Sequence, residues 1–421
     1  MKGASRAAEP AGRLFVAETV GQVRNAAAAA AQAPGGPAAL LLLLPSGNPG
    51  LAARMEAFAA GSGLTIRAVT LPETPHRPAP AVIARHLAAF APVVEGPAPE
   101  ELWVANGRFH LAWLAGRMER RGARIVLFED GLSSYRRADD PSFDMPGAAE
   151  ALARAREKAG ADLVMIRRAL GKGRPGRAFD AARWMAGGLA EGAARAAMAS
   201  AAGRAAARLR AGPEAAAFFA RRRRFDAAWM AFPEAFDAAG FGVGAARRLV
   251  IAPSPEAIER ARAALSPVEP GEALHVSQVY GGGALRRAVA KALAAAGARR
   301  LLVKAHPRET EAERAALLAD LAKAGVSARS APAALDEMEA EALIETGLFR
   351  TVFGLTSTAL LHGMARRPDA DFVAVGEDAL ARLAKAGRPE RLHERFAADV
   401  ALFARMRRVI LSAPGAASPG R

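Results

Sequence analysis

No cysteine occurs among the 421 residues. That excludes disulfides, thiolate metal ligation and a cysteine nucleophile together, and it accords with a reducing compartment. Aromatic side chains are scarce as well, at 6% of the chain with 2 tyrosines and 4 tryptophans, so there is little material for stacking nucleic-acid bases. Long apolar runs are missing. The longest aliphatic stretch, AALLLLLP over 38–45, falls far short of the ~20 residues that span a bilayer and suits a parallel strand buried on both faces. The opening MKGASRAAEPAGRLFV has no apolar core of signal-peptide length, so a cytoplasmic protein is expected.

Basic charge and alanine are what the chain has in quantity. Lys and Arg number 58 against 42 Asp and Glu, a net charge of +16, which implies attraction to something anionic: nucleic acid, lipid headgroups, or acidic and phosphorylated sugars. Alanine supplies much of the 52% hydrophobic content, which predicts long alanine-rich helices. The length suggests two or three domains.

Over the first ~130 residues short apolar runs alternate with helical stretches: RLFVAE, ALLLLLP, LTIRAVTL, ELWVAN and ARIVLFED. Repeated βα alternation means a parallel, doubly wound sheet. From about 139 to 224 the pattern becomes helical, rich in arginine and alanine, with ADLVMI its one strand-like run. Within it, GKGRPGR at 171–177 lacks the Gly-Lys-Ser/Thr ending of a phosphate loop, and Arg221 to Arg224 suit a solvated helix face. A second alternating block starts near Arg248 with RLVIAPS, then EALHVSQVYGGG, RRLLVKAHP, GVSARS, RTVFGLTSTALL and DFVAVG, closing on an amphipathic stretch over 389–411. The expected organisation is a first α/β domain over 1–245 carrying the insertion, a second over 246–411, and a disordered tail over 412–421. Two Rossmann-like domains facing across a cleft constitute the GT-B arrangement.

Three short motifs fall just past predicted strands, where parallel sheets bind ligands. The first, FEDG, sets Glu129 and Asp130 before Gly131, which offers a base in a tight turn or else a plain strand-to-loop turn. The second is His306-Pro307, where an imidazole can donate to a leaving phosphate. In the third, Thr356, Ser357 and Thr358 lie between a strand and a helix, so hydroxyls and free amides make an anion site or simply cap the helix. Glu341, sixteen residues before Ser357, can accept from a ribose diol or face solvent.

An acidic pair with glycine, then His-Pro, a glutamate and a Ser/Thr pair, in this order, resemble the motifs of bacterial sialyltransferases, especially the capsular polysialyltransferase and lipooligosaccharide sialyltransferase groups. The resemblance extends to AETVGQVRNA, where Thr19, Gln22 and Asn25 are similar to a strand-end segment of that family, and to Phe232-Pro233-Glu234 and Gln278. It implies an inverting, metal-independent transfer of a sialic or related nonulosonic acid from a CMP-sugar to a cell-surface glycan of capsule or lipooligosaccharide. Asp130 would be the general base, with Glu129 holding the turn. His306 would contact the leaving CMP phosphate, Ser357 and Thr358 would bind it, and Glu341 would hold the ribose, with Gly131, Pro307, Thr356 and Gln278 completing the donor set and Thr19, Gln22 and Asn25 the first-domain site. Here the hydroxyl pair is Ser-Thr preceded by threonine, which leaves open which hydroxyl meets phosphate.

No cofactor or metal is expected, because a nucleoside monophosphate leaving group can be stabilised by hydroxyls, helix-end amides and an imidazole. The literal Asp-x-Asp, Asp369 to Asp371, opens a strand instead of ending one. Gly242 starts GVGAARR, which has two glycines ahead of its strand, the reverse of a dinucleotide fingerprint. The alternatives are a CMP-Kdo or other CMP- or UDP-sugar transferase on the same scaffold, and a non-catalytic protein binding membrane surfaces or polyanions. Arginines interleaved with Trp184, Phe218 and Phe219 between Phe179 and Arg224 point to peripheral contact with an anionic membrane on its inner face; nucleic acid is not favoured.

Overall fold

A computed structural model describes residues 12–71, 80–138, 224–265, 267–280, 283–306, 309–336, 338–385 and 390–412, together with Arg222 and a subset of positions from 152 to 205. Pro307, Trp184, Phe218, Phe219 and nearly all of the 412–421 tail lie outside these residues. The chain divides into two units, Met1–Asp130 with Arg137–Leu249, and Gly131–Arg136 with Val250–Arg421.

In the first unit seven parallel strands run in the order β3-β2-β1-β4-β5-β6-β7: β1 Arg13–Ala17, β2 Ala38–Pro45, β3 Thr65–Leu71, β4 Glu101–Val104, β5 Arg124–Phe128, β6 Ala227–Met230 and β7 Arg247–Arg248. The central strands read as unbroken apolar runs because both faces are covered; Ala39 to Leu44 are all buried. Helices α1 Val20–Gln32, α2 Pro49–Ala60, α3 Pro80–Glu95 and α4 Phe109–Glu119 supply the crossovers. Thr19 caps α1 by accepting from Gln22 N–H, and Asn48 caps α2 by accepting from Leu51 N–H. Both place the short polar side chain where helix N–H groups lack partners. Few aromatics suffice for the centre. Phe15 packs against Trp103 at 4.8 Å with the rings tilted by 34°, and meets Phe128 edge-on at 6.1 Å.

The second unit has five parallel strands in the order β10-β9-β8-β11-β12: β8 Ala273–Val276, β9 Arg300–Lys304, β10 Ser327–Ser330, β11 Thr351–Gly354 and β12 Asp371–Ala374. Its helices are α5 Pro255–Leu265, α6 Gly283–Ala295, α7 Glu311–Lys323, α8 Ala340–Glu345, α9 Thr358–Arg366, α10 Gly376–Lys385 and α11 Glu390–Ser412. Helix α11 packs on α9, α10 and the 3-10 turn Leu132–Tyr135 of the same unit. There Arg136 pairs with Asp399 at 2.5 Å, and the Arg405 guanidinium donates to the Tyr135 carbonyl. Two parallel, Rossmann-like α/β sheets therefore make up the chain, the class expected of its βα alternation.

Several local expectations are corrected. RLVIAPS does not open the second sheet: Arg247 and Arg248 pair with Trp229 and Met230 as the last strand of the first. ADLVMI is not a strand, since Leu163, Val164 and Ile166 are helical; a short apolar run has no period long enough to distinguish the two. The arginine run is not a helix face at Arg222, which is non-helical and makes a two-pronged ion pair with Glu119, both contacts 2.8 Å. The helix expected near 336–345 is a 3-10 turn, Ala333–Leu335, followed by the short α8.

Candidate active site

A parallel sheet opens a crevice where consecutive connections leave in opposite directions from neighbouring strands. In the first unit that point lies between β1 and β4, and in the second between β8 and β11. Of the residues selected from sequence, Thr19, Gln22 and Asn25 follow β1, Gln278 follows β8 and Thr356 to Thr358 follow β11, whereas Asp130 follows β5, His306 follows β9 and Glu341 lies in α8.

In the first unit, Thr19, Gln22 and Asn25 follow β1; Thr19 caps α1, and Gln22 and Asn25 meet the acidic turn after β5. Gln22 Nε2 donates to Asp130 Oδ1 at 2.5 Å, while its Oε1 accepts from Glu18 N–H at 2.7 Å. Asn25 Nδ2 donates to the Glu129 carbonyl at 2.8 Å. One carboxamide thus fixes the half-buried Asp130 carboxylate, and a second fixes the backbone just before it. Glu129 is fully buried, and its Oε2 accepts from Ala231 N–H, beyond β6, at 2.6 Å. The two adjacent acids are different chemically: Glu129 ties neighbouring strand ends together, and Asp130 retains solvent access. Beyond β6, Phe232-Pro233-Glu234 enters a 3-10 turn, and Glu234 pairs with Arg248.

In the second unit, Gln278 follows β8 and Thr356 follows β11. Gln278 Oε1 accepts from Thr356 N–H at 3.0 Å and lies 3.4 Å from its hydroxyl, which bridges the two strand ends at the switch point. Ser357 caps α9, its Oγ accepting from Ala359 N–H at 3.2 Å, and Thr358 is the first residue of that helix. Capping and anion binding are compatible, since the same hydroxyl still has a proton to donate and the helix end carries partial positive charge. Gly354 ends β11 where a β-carbon would overlap the Leu360 side chain, so α9 packs directly on the strand. Gly131 also belongs to this unit and lies beside Thr358; its φ of 85° favours glycine.

His306 lies two residues past β9, and its backbone is held twice by Glu309. His306 N–H donates to Glu309 Oε2 at 2.7 Å, and Glu309 N–H donates to the His306 carbonyl at 2.9 Å. The other oxygen of Glu309 accepts from Ser277 Oγ at 2.9 Å. Burial pushes the Glu309 carboxyl up, against the hydrogen bonds from His306 and Ser277. Next to it, buried Lys304 donates from Nζ to the Ala305 and Asp336 carbonyls, each at 3.0 Å. Burial brings that amine down to about 8, with Asp336, Glu309 and Glu341 opposing the shift. Glu341 sits in the first turn of α8. Elsewhere, Asp369 of the Asp-x-Asp run is held by Arg367 through contacts of 2.7 and 2.8 Å.

Sequence reading did not select Glu309, Ser277, Lys304, Glu18, Asn106 or His110. All but His110, which lies in the first turn of α4, stand at or shortly beyond a strand's carboxyl end, so position was a visible signal. Its weight depended on strand order, which a linear pattern does not give.

The family described as Alpha-2,8-polysialyltransferase (POLYST) matches residues 77–375. The match takes in Asp130, His306, Glu341 and Ser357 but not β1, Glu18 or Gln22. No curated protein matches the chain in sequence. Similar solved structures include a glycosyltransferase from Rickettsia africae, at TM-score 0.42 and 8% identity over 97% of this chain and 100% of that one. Another is a Polygonum tinctorium UDP-glucosyltransferase that glucosylates indoxyl, at 0.42 and 11% over 97% and 95%. Anabaena Alr3699/HepE with UDP and glucose gives 0.40 and 10% over 94% and 96%. Likeness at this level bears on neither donor nor acceptor.

Proposed function

Because this chain belongs to the alpha-2,8-polysialyltransferase family, we propose that it is an inverting glycosyltransferase that moves a sialic or related nonulosonic acid from a CMP-sugar to a hydroxyl of a cell-surface glycan. The observation that carries this reading is the Gln278–Thr356 bridge at the switch point of the second sheet, which sets the N-terminus of α9 and the Ser357 and Thr358 hydroxyls where a phosphate can be received.

In the proposed step Asp130 takes the proton of the acceptor hydroxyl as its oxygen bonds to the anomeric carbon of the donor. The bond from that carbon to the CMP phosphate oxygen breaks, and the electron pair leaves with the phosphate. Ser357, Thr358 and the first amides of α9 neutralise the developing charge, and His306 supplies a hydrogen bond or proton to the departing oxygen. Glu341 accepts from the ribose diol. Glu129 holds the turn from within the sheet, so its removal acts through Asp130.

CMP release from CMP-sialic acid tests the reading. Wild type is expected to release CMP in the presence of EDTA, Asp130→Ala to lose transfer by about 10²–10⁴-fold while still binding CMP, and His306→Ala to lose donor cleavage. Near-normal transfer by Asp130→Ala removes the proposed base. Activity that disappears with EDTA and returns with magnesium or manganese removes the metal-free mechanism.

Peripheral attachment to an anionic membrane is part of the proposal. Among the described positions of the arginine-rich segment, Val164 is 65% and Phe179 72% exposed, which combines apolar anchors with basic charge. No helix among the described residues is long and apolar enough to cross a membrane. Sedimentation with phosphatidylserine or phosphatidylglycerol vesicles is expected at low salt and should weaken as ionic strength rises; no binding at low salt sinks this part.

A further inference from the structure

The switch point of the first sheet holds a second constellation that the proposed reaction does not use. Glu18 is the first residue after β1, and Asn106 follows β4 by two residues, so both flank the crevice between these strands. Glu18 Oε1 lies 2.7 Å from His110 Nε2, near the start of α4. Burial pushes the Glu18 carboxyl up, but His110 and Asn106 outweigh it and hold it below the usual carboxylate range; Asn106 Oδ1 accepts from Arg108 N–H at 3.2 Å. Behind His110 the rings of His86 and Phe90 stack at 5.6 and 5.8 Å, each inclined by 18°. His86 and His110 are buried, whereas the Glu18 side chain remains 23% exposed.

Three features distinguish this cluster from an internal ion pair. It occupies the crevice in which open parallel sheets receive ligands. Phe109, immediately before His110, has a φ of 47°, the one positive value for a non-glycine among the described residues; such strain concentrates where a side chain must be aimed. And Gln22 joins the Glu18 backbone N–H to the Asp130 carboxylate, so one carboxamide ties the segment that carries Glu18 to the second acid.

We propose that Glu18, aimed by His110 and Asn106, is a hydroxyl-binding subsite for the acceptor sugar. The proposal rests on the reading of Asp130 as base. A sugar bearing neighbouring hydroxyls can present one to Asp130 and donate another to Glu18, in a charge-assisted hydrogen bond. The carboxylate repels an acceptor's own carboxylate and so selects its hydroxyl edge, orienting the sugar without taking part in bond making. Glu18 lies outside the family match at 77–375.

Acceptor binding measured without donor turnover tests the proposal. The probes are an α-2,8-linked sialic acid trimer and a neutral galactose-terminated oligosaccharide, titrated by saturation-transfer NMR. Glu18→Gln is expected to weaken at least one probe by roughly tenfold or more, the loss of one hydrogen bond to a charged group, while its far-UV circular dichroism stays that of wild type. If Glu18→Gln does not fold, Glu18→Asp, which keeps the charge and retracts it by one methylene, is expected to show the same weakening. Unchanged affinity in the folded variant, with only a lower melting temperature, means a structural ion pair and overturns the proposal; so does a wild type that binds neither probe. A chain that binds acceptor through Glu18 but cleaves no CMP-sugar overturns the proposed reaction and leaves the subsite standing.

Discussion

Gly131 has φ 85° and ψ −151°, a region that only glycine enters without strain. Gly131→Ala is therefore expected to cost about 1–3 kcal/mol, read as a lower thermal midpoint, and to displace the turn that follows Asp130. A β-carbon there would make only ordinary contact with Thr358, at 3.6 Å, so the cost is conformational and a larger side chain should add little. Asp130→Asn keeps the shape and the Gln22 contact but cannot take a proton; kcat is expected to fall by about 10²–10⁴-fold with acceptor and donor binding retained. Asp130 and Gly131 could be picked out from the sequence because acids followed by glycine after an apolar run have a recognisable chemistry. Glu18 and Glu309 could not, since what distinguishes them is a partner: His110 for one, and Ser277 together with the His306 backbone for the other.

The turn after β9 is the element on which the proposed phosphate contact depends, and Glu309 is its positioning residue. Glu309→Gln places an amide where His306 N–H and Ser277 Oγ both donate. Donor cleavage is expected to fall roughly tenfold in kcat with a smaller change in donor KM, and Glu309→Asp to recover part of it. Equal losses in both parameters with a lowered melting temperature would indicate general destabilisation instead. At the same end of the unit Thr310 and Glu313 close a full capping box on α7, so Thr310→Ala should cost about 1 kcal/mol. The strands were legible wherever both faces are covered, as in β2. The short β7 and the helical ADLVMI were not: two residues carry no period, and a short, mostly apolar run fits either structure.

For the whole molecule, buried titratable groups set the pH range of stability. Burial brings His275 down to about 4 from 6.5, with the hydrogen bond involving the Phe353 backbone opposing it. Between these values the unfolded chain binds a proton that the folded chain refuses, so stability falls as pH drops from 6.5 towards 4, by on the order of 3 kcal/mol. Lys304, down to about 8 from 10.5, acts at the other end, where stability rises as pH rises from 8 to 10.5. Denaturant melts across pH check both, and in His275→Gln the acid-side fall should be smaller even though the contact to Tyr280, 2.9 Å in wild type, is altered. The order of residues along the chain determined the two α/β units and most of the candidate site, because hydrophobic periodicity and residue type act locally. Only tertiary structure decided which strand ends are neighbours. Pairing order put Glu18 beside Asn106 and Gln278 beside Thr356, made Glu129 a buried tie and left Asp130 open, since the direction in which each crossover returns is a property of the packed sheet and leaves no mark in the sequence of any one strand.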